Sequence, residues 1–140
     1  MLSEEAALEV ARTCTVVAVV GMTDGSKPGR PSFEIPQMMQ QRGIRVLPVN
    51  PVITSALGEK AVAHLADLSG PLDVVDVFRK PEAIPELTEE LLALEPGKRP
   101  KTVWLQSGIS HPESERRLEA AGYQVVSDRC LGVYVARSGR

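Results

Sequence analysis

What most constrains this chain is a repeated alternation: short β-branched runs, each halted by glycine, proline or a polar turn, separated by stretches with helical spacing. Residues 15–20 (TVVAVV) stop at Gly21, and residues 44–49 (IRVLPV) stop at Asn50-Pro51. Residues 74–78 (VVDVF) stop at Arg79-Lys80-Pro81, residues 102–106 (TVWLQ) at Ser107-Gly108, and residues 124–126 (QVV) at Ser127-Asp128. Near-continuous valine runs fit strands covered on both faces, as in a parallel sheet, better than half-exposed antiparallel strands.

The intervening segments read as helices. Ser3 can cap a first helix whose early carboxylates, Glu4 and Glu5, favour the positive end of its dipole. Residues 31–42 form a second, with Phe33, Ile35, Met38 and Met39 on its buried face, although Pro36 is tolerable only near a first turn. Residues 82–94 form a third, and residues 112–121 a last one, ended by Gly122 in the left-handed C-cap position. A short helical turn is expected over residues 64–68. Strands and helices alternating with such short crossovers give right-handed βαβ units. The expected fold is therefore α/β: a Rossmann-like, doubly wound, mainly parallel sheet of about five strands with helices on both faces.

A chain of 140 residues without repeats or low-complexity tracts fits one domain, residues 1–140, since single cores typically occupy roughly 100–200 residues. The most linker-like stretch, residues 94–100 (LEPGKRP), is only a loop. A net charge of −2 and 4% aromatics supply neither the positive field nor the stacking platform of a nucleic-acid binder. No run approaches the roughly 18 apolar residues of a membrane span. The N-terminus MLSEEAALEV lacks the basic start of a secretory signal. Cys14 and Cys130 form neither a CxxC pair nor a disulfide framework, which favours a reduced, cytoplasmic protein. A single asparagine, Asn50, and 11 prolines hint at a thermophilic source.

Ligands in doubly wound sheets bind beyond the carboxyl ends of the strands, so the residues just past each valine run are where chemistry is expected. After the first run comes GMTDGSKPGRPS, leading into a helix. Backbone N–H groups of a glycine-containing turn and a helix N-terminus make an anion site. Lys27 and Arg30 add fixed cations there, while Thr23, Ser26 and Ser32 add hydroxyl donors, so a phosphate-binding loop is expected. Asp24 would repel an anion and should face solvent. Gly21, Gly25 and Gly29 are too widely spaced for the G-x-G-x-x-G dinucleotide fingerprint, and Asn50-Pro51 stands where that motif needs an acid. The loop also lacks the Gly-Lys-Ser/Thr of a P-loop.

The ordered blocks VAVVGMTDGSKPGRPSFEI, VLPVNP, VVDVFRKPEAIPE, VWLQSGI and SDRC resemble the small stand-alone CoA-binding proteins, a family similar to the CoA-binding domain of the succinyl-CoA synthetase α subunit. The likeness spans residues 16–130, with all five blocks in order at strand ends. It implies coenzyme A as the ligand. Gly21, Thr23, Lys27, Arg30 and Ser32 would hold its phosphates, with Asn50 and Pro51 beside the adenosine end. Val77, Phe78 and Arg79 would lie along the nucleotide, Lys80 with Pro81 would open the next helix at the same cofactor-binding rim, and Gln106 and Gly108 would lie near the pantetheine. An acidic protein that binds a phosphate-rich ligand should gather Arg and Lys at this rim. The synthetase's additional domain with its phosphorylated histidine is not expected within these 140 residues, whose only histidines are His64 and His111.

Other reactive residues read as structural. His64 and His111 fit surface or capping positions. Cys130, beside Arg129, could form a poised thiolate able to exchange with CoA disulfide, but the favoured reading is a small buried packing residue. Cys14 and Trp104 read as core. Asp73 and Asp76, three apart on one strand, point to opposite faces and cannot share a substrate. Asp76 is expected to cap or hydrogen-bond a nearby loop. Residues 113–117 (ESERR) read as a solvated helix face. No nucleophile–base set, metal cluster or paired carboxylate survives, so the expectation is a CoA or acyl-CoA binding protein that catalyses nothing alone. Two alternatives are carried: a partner-dependent subunit of an acyl-CoA synthetase or transferase, and an NAD-type redox sensor.

Overall fold

A computed structural model describes residues 1–140. Five strands, β1 (Val16–Val20), β2 (Arg45–Val49), β5 (Val74–Val77), β6 (Thr102–Leu105) and β7 (Gln124–Val126), form one sheet in the order β2-β1-β5-β6-β7. Every pairing is parallel. A two-stranded hairpin, β3 (Ser55–Ala56) and β4 (Glu59–Lys60), lies in the connection after β2.

Period-two alternation sorts the valines onto two cores. Val17, Val19, Val46, Val74, Trp104 and Val126 face α1 (Glu4–Thr13), α2 (Pro31–Gln41) and α5 (Leu131–Arg137). Ala18, Val20, Val49, Val75, Val77, Val103 and Leu105 face α3 (Ile84–Ala93), α4 (Pro112–Ala120) and Leu65 from a 3-10 turn at Leu65–Asp67. Burying each such valine or leucine contributes about 1.5–3 kcal/mol, which is why the runs need not alternate with polar residues. Trp104, fully buried, packs edge-to-face on Tyr134 at 5.2 Å, and its indole N–H donates to the Arg129 carbonyl at 2.8 Å.

Both edges of the sheet are covered. The Leu2 N–H donates to the Val125 carbonyl at β7. At β2, Val62 bonds the Pro48 carbonyl and accepts from Asn50 N–H. Proline is tolerated in β2 because that strand is peripheral. Ser3 caps α1 through Ala6 N–H at 3.1 Å, and His111 caps α4 by accepting from Ser114 N–H at 3.2 Å. No helix is long and apolar enough to cross a membrane.

Two expectations need correction. The fourth long helix is not the last, because residues 131–137 form α5 and complete the face shared with α1 and α2. The connection after β2 holds the β3–β4 hairpin as well as the expected 3-10 turn.

Candidate functional site

Strand order reverses between β1 and β5, and ligands of doubly wound sheets gather beyond such a switch point. Here three chain segments converge tightly. Gly21 N–H donates to the Val49 carbonyl at 2.9 Å, and Phe78 N–H donates to the Val20 carbonyl at 2.8 Å. A Cβ on Gly21 would stand 2.2 Å from the Phe78 carbonyl oxygen, and its φ of 84° is one that side chains resist. The same position lies 3.5 Å from Arg79 Cδ, so the Arg79 stem runs beside the β1 turn.

The loop from Gly21 to Arg30 folds over Phe33, whose ring would lie 2.8 Å from a Cβ on Gly25. It is tied to α2 by an unusual route. Pro36 sits inside α2 without an N–H, so the Ser32 carbonyl lacks its ordinary helical donor. Thr23 N–H takes that place at 3.2 Å, and the Thr23 and Ser32 hydroxyls meet at 3.1 Å. The awkward proline of the sequence is thus the residue that frees an anchor for the loop. Asp24 turns its carboxylate onto Ser26 N–H at 3.0 Å and faces solvent as expected. No side chain caps α2, whose Ncap position is held by Arg30. Its positive dipole end opens toward the same rim.

Lys27, Arg30 and Lys80 are exposed and Arg79 is half-buried. None of the four enters an ion pair or a side-chain hydrogen bond, whereas Arg12, Arg45, Arg117, Arg129 and Arg137 are all paired. Beside Arg79, on the α3 side, opens a cleft of about 260 Å³ lined by Val20, Val49, Pro51, His64, Arg79, Glu86 and Glu90 among others. That volume is below the about 300–1,000 Å³ typical of sites for drug-sized ligands, so it suits one ring system, not a long cofactor.

The remaining expected residues divide by what their atoms already do. The buried Asn50 amide donates to the Met22 carbonyl at 3.0 Å and accepts from Val52 N–H at 3.1 Å, locking the first loop to the second. Val77 is fully buried in the core, so only its backbone reaches the rim. Half-buried Phe78 packs against the opposite core. Gly108 N–H is held by Asp128 Oδ1 at 2.6 Å. Gln106 is buried, and its Nε2 donates inward to Asp76 Oδ1 at 2.5 Å.

Asp76, at the end of the central strand, is fully buried. Burial pushes its carboxyl up to about 7, against the lowering effect of the Gln106 amide and the Val77 N–H. Its link to the first residue after β6 agrees with the expected bond to a nearby loop. Asp73 serves elsewhere, accepting from Thr15 N–H, the Thr15 hydroxyl and Val16 N–H at the opposite end of the sheet. Cys14 is buried core, and desolvation lifts its thiol to about 11. Cys130 is half-buried, more open than a sealed packing residue. His64 lies on the surface, with Nδ1 3.7 Å from Glu90. Glu86 and Glu90 belong to no motif in the sequence; their i,i+4 spacing on α3 is the signal that places both on one face. No group of three or more His, Cys, Asp or Glu side chains converges.

The chain matches the CoA binding domain family over residues 15–136. The Bacillus subtilis (strain 168) protein YneT is 37% identical over 125 residues, 89% of this chain and 88% of its own length. A solved structure from Thermus thermophilus, cell-free ID.343, superposes with a TM-score of 0.87 at 42% identity, covering 98% of this chain and 99% of that one. The apo dinucleotide forming acetyl-coenzyme A synthetase 1 of Ca. Korarchaeum cryptofilum shares the fold. Its TM-score is 0.70 at 19% identity, over 86% of this chain but 28% of that enzyme.

Proposed function

The chain belongs to the family of CoA binding domains, and on that premise we propose that it binds coenzyme A or an acyl-CoA across the strand ends without catalysing a reaction alone. One observation carries the reading: Lys27, Arg30, Arg79 and Lys80 stand unpaired on the loops that follow β1 and β5 at one end of the sheet, with Arg30 at the uncapped start of α2. Unpaired cations at a helix N-terminus favour a ligand with several phosphates. In this reading Gly21, Thr23 and Ser32 bring backbone and hydroxyl donors to those phosphates. The adenosine end enters the cleft beside Pro51, with Asn50 fixing the loop that shapes it. The chain at Val77 and Phe78 borders the nucleotide, and the pantetheine arm passes Gln106 and Gly108.

Calorimetric titration with CoA, acetyl-CoA, dephospho-CoA and NADH tests the reading. Micromolar CoA binding is expected, weaker for dephospho-CoA and absent for NADH. Arg30→Ala should weaken CoA by about 1–3 kcal/mol, the value of a charge-assisted contact. Unchanged CoA affinity in that variant removes Arg30 from the site. NADH binding without a CoA signal overturns the reading.

A further inference from the structure

Across the whole molecule, only one buried side-chain nitrogen or oxygen lacks a hydrogen-bond partner: Asp76 Oδ2. Its other oxygen, Oδ1, accepts from Gln106 Nε2. The remaining polar atom of that pair, Gln106 Oε1, also has no partner within the protein, yet it is not closed off as Asp76 Oδ2 is. It is therefore the end of the amide that keeps contact with solvent, one residue beyond β6. Three nearby backbone N–H groups are already engaged. Gly108 N–H goes to Asp128, Ile109 N–H to the Gln106 carbonyl, and Asp128 N–H to the Ile109 carbonyl.

We propose that Asp76 is a positioning residue: it grips the Gln106 amide by its nitrogen and so presents Gln106 Oε1 as a hydrogen-bond acceptor for an amide N–H of the ligand. This rests on the CoA reading, because the pantetheine arm of CoA carries two secondary amides. An ionised carboxylate can only accept, so it fixes the nitrogen inward and the oxygen outward. A protonated Asp76 can donate through its O–H, and the Gln106 amide is the side chain already in hydrogen-bond contact with it. Rotating the Gln106 amide brings Oε1 to that O–H and turns the NH2 group outward. Protonation thus exchanges an acceptor for a donor at the rim.

The surroundings leave the switch to this pair. Asp76 lies between Val19 of β1 and Trp104 of β6 in the sheet register. The core side chains that α1, α2 and α5 place on its face are apolar or thiol, apart from Tyr134, whose hydroxyl is bonded to Glu4. No charged group acts on its ionisation; only burial, the Gln106 amide and the Val77 N–H do. The Cys14 thiol, raised chiefly by burial, also feels the Asp76 carboxylate.

The test compares CoA with adenosine 3′,5′-bisphosphate, which has phosphates but no amide arm, on the native protein and Asp76→Asn between pH 6 and 8. The native protein should lose about three- to tenfold more CoA affinity on acidification than the variant, the worth of one hydrogen bond. The two proteins' profiles for the bisphosphate should superimpose. In the free native protein, the Gln106 side-chain NH2 resonances should shift with a midpoint near that of Asp76, a readout that needs no variant. Superimposed CoA profiles, an equal difference with the bisphosphate, or Gln106 resonances that do not titrate overturn the inference while leaving CoA binding intact. Failure of the native protein to bind either ligand overturns the CoA reading and this inference with it.

Discussion

Asp76 also couples the fold to pH. Its folded carboxyl is raised from 3.8 to about 7 by burial. The native state therefore retains a proton that the unfolded chain has already released over that interval. Stability associated with this proton is complete below the unfolded value and disappears as pH rises through the folded one. Between pH 5 and 8 the loss should be about 2–3 kcal/mol, from roughly two pH units at about 1.4 kcal/mol each. The carboxyls of Glu4, Glu9, Asp24, Glu59 and Asp73 are shifted the opposite way, below their ordinary values. Their stabilising effect is present above the usual carboxylate range and is lost only at lower pH, so they do not mask the window. Urea denaturation at pH 5, 6, 7 and 8 should show the native protein weakening as pH rises, while Asp76→Asn stays nearly flat. Parallel curves for the two proteins would mean that Asp76 does not hold its proton in the folded state.

At the level of elements, α2 gives up one internal hydrogen bond and the adjoining loop gains it. In Pro36→Ala, the restored N–H competes for the Ser32 carbonyl that now receives Thr23 N–H. Hydrogen exchange at the Thr23 amide should accelerate about three- to tenfold, the weight of one backbone bond, although alanine itself suits the helix better. Unchanged exchange would show that the loop is anchored by other contacts. The same scale explains what could be read from sequence. The five valine runs and four helices were legible because burial on both faces, caps and prolines mark them locally. The fifth helix, LGVYVAR, is written in residues that favour strands, with a glycine inside. Packing overrides that preference: a Cβ on Gly132 would stand 2.7 Å from Ile35 Cγ2 and 2.9 Å from Met38 Cε, so glycine is what lets α5 close on α2. The β3–β4 hairpin turns at Leu57 and Gly58, both at positive φ, where an Asn-Gly signal would ordinarily announce it. The rim residues were legible because strand ends were. The Asp76–Gln106 pair was not, since it depends on the register of β5 against β6.

For the whole molecule, two electrostatic effects on an anionic ligand oppose each other. The chain carries 16 Lys and Arg against 18 Asp and Glu, so its net charge of −2 repels CoA. The four unpaired cations at one end of the sheet attract it. Distance decides between them. A 140-residue fold has a radius of gyration of roughly 14 Å, so most of the net charge acts from beyond the Debye length of about 8–10 Å at ordinary ionic strength. The cations act at contact distance, where screening is weaker but grows as added salt shortens that length to about 3 Å at 1 M. Local attraction should therefore dominate, and CoA affinity should fall about five- to tenfold as NaCl rises from roughly 0.05 to 0.5 M. Replacing Lys27 and Lys80 together by alanine should flatten that dependence by removing two of the screened partners. An affinity that rises with salt would mean that the net negative charge governs the approach, and that the strand-end cations do not meet the ligand's phosphates.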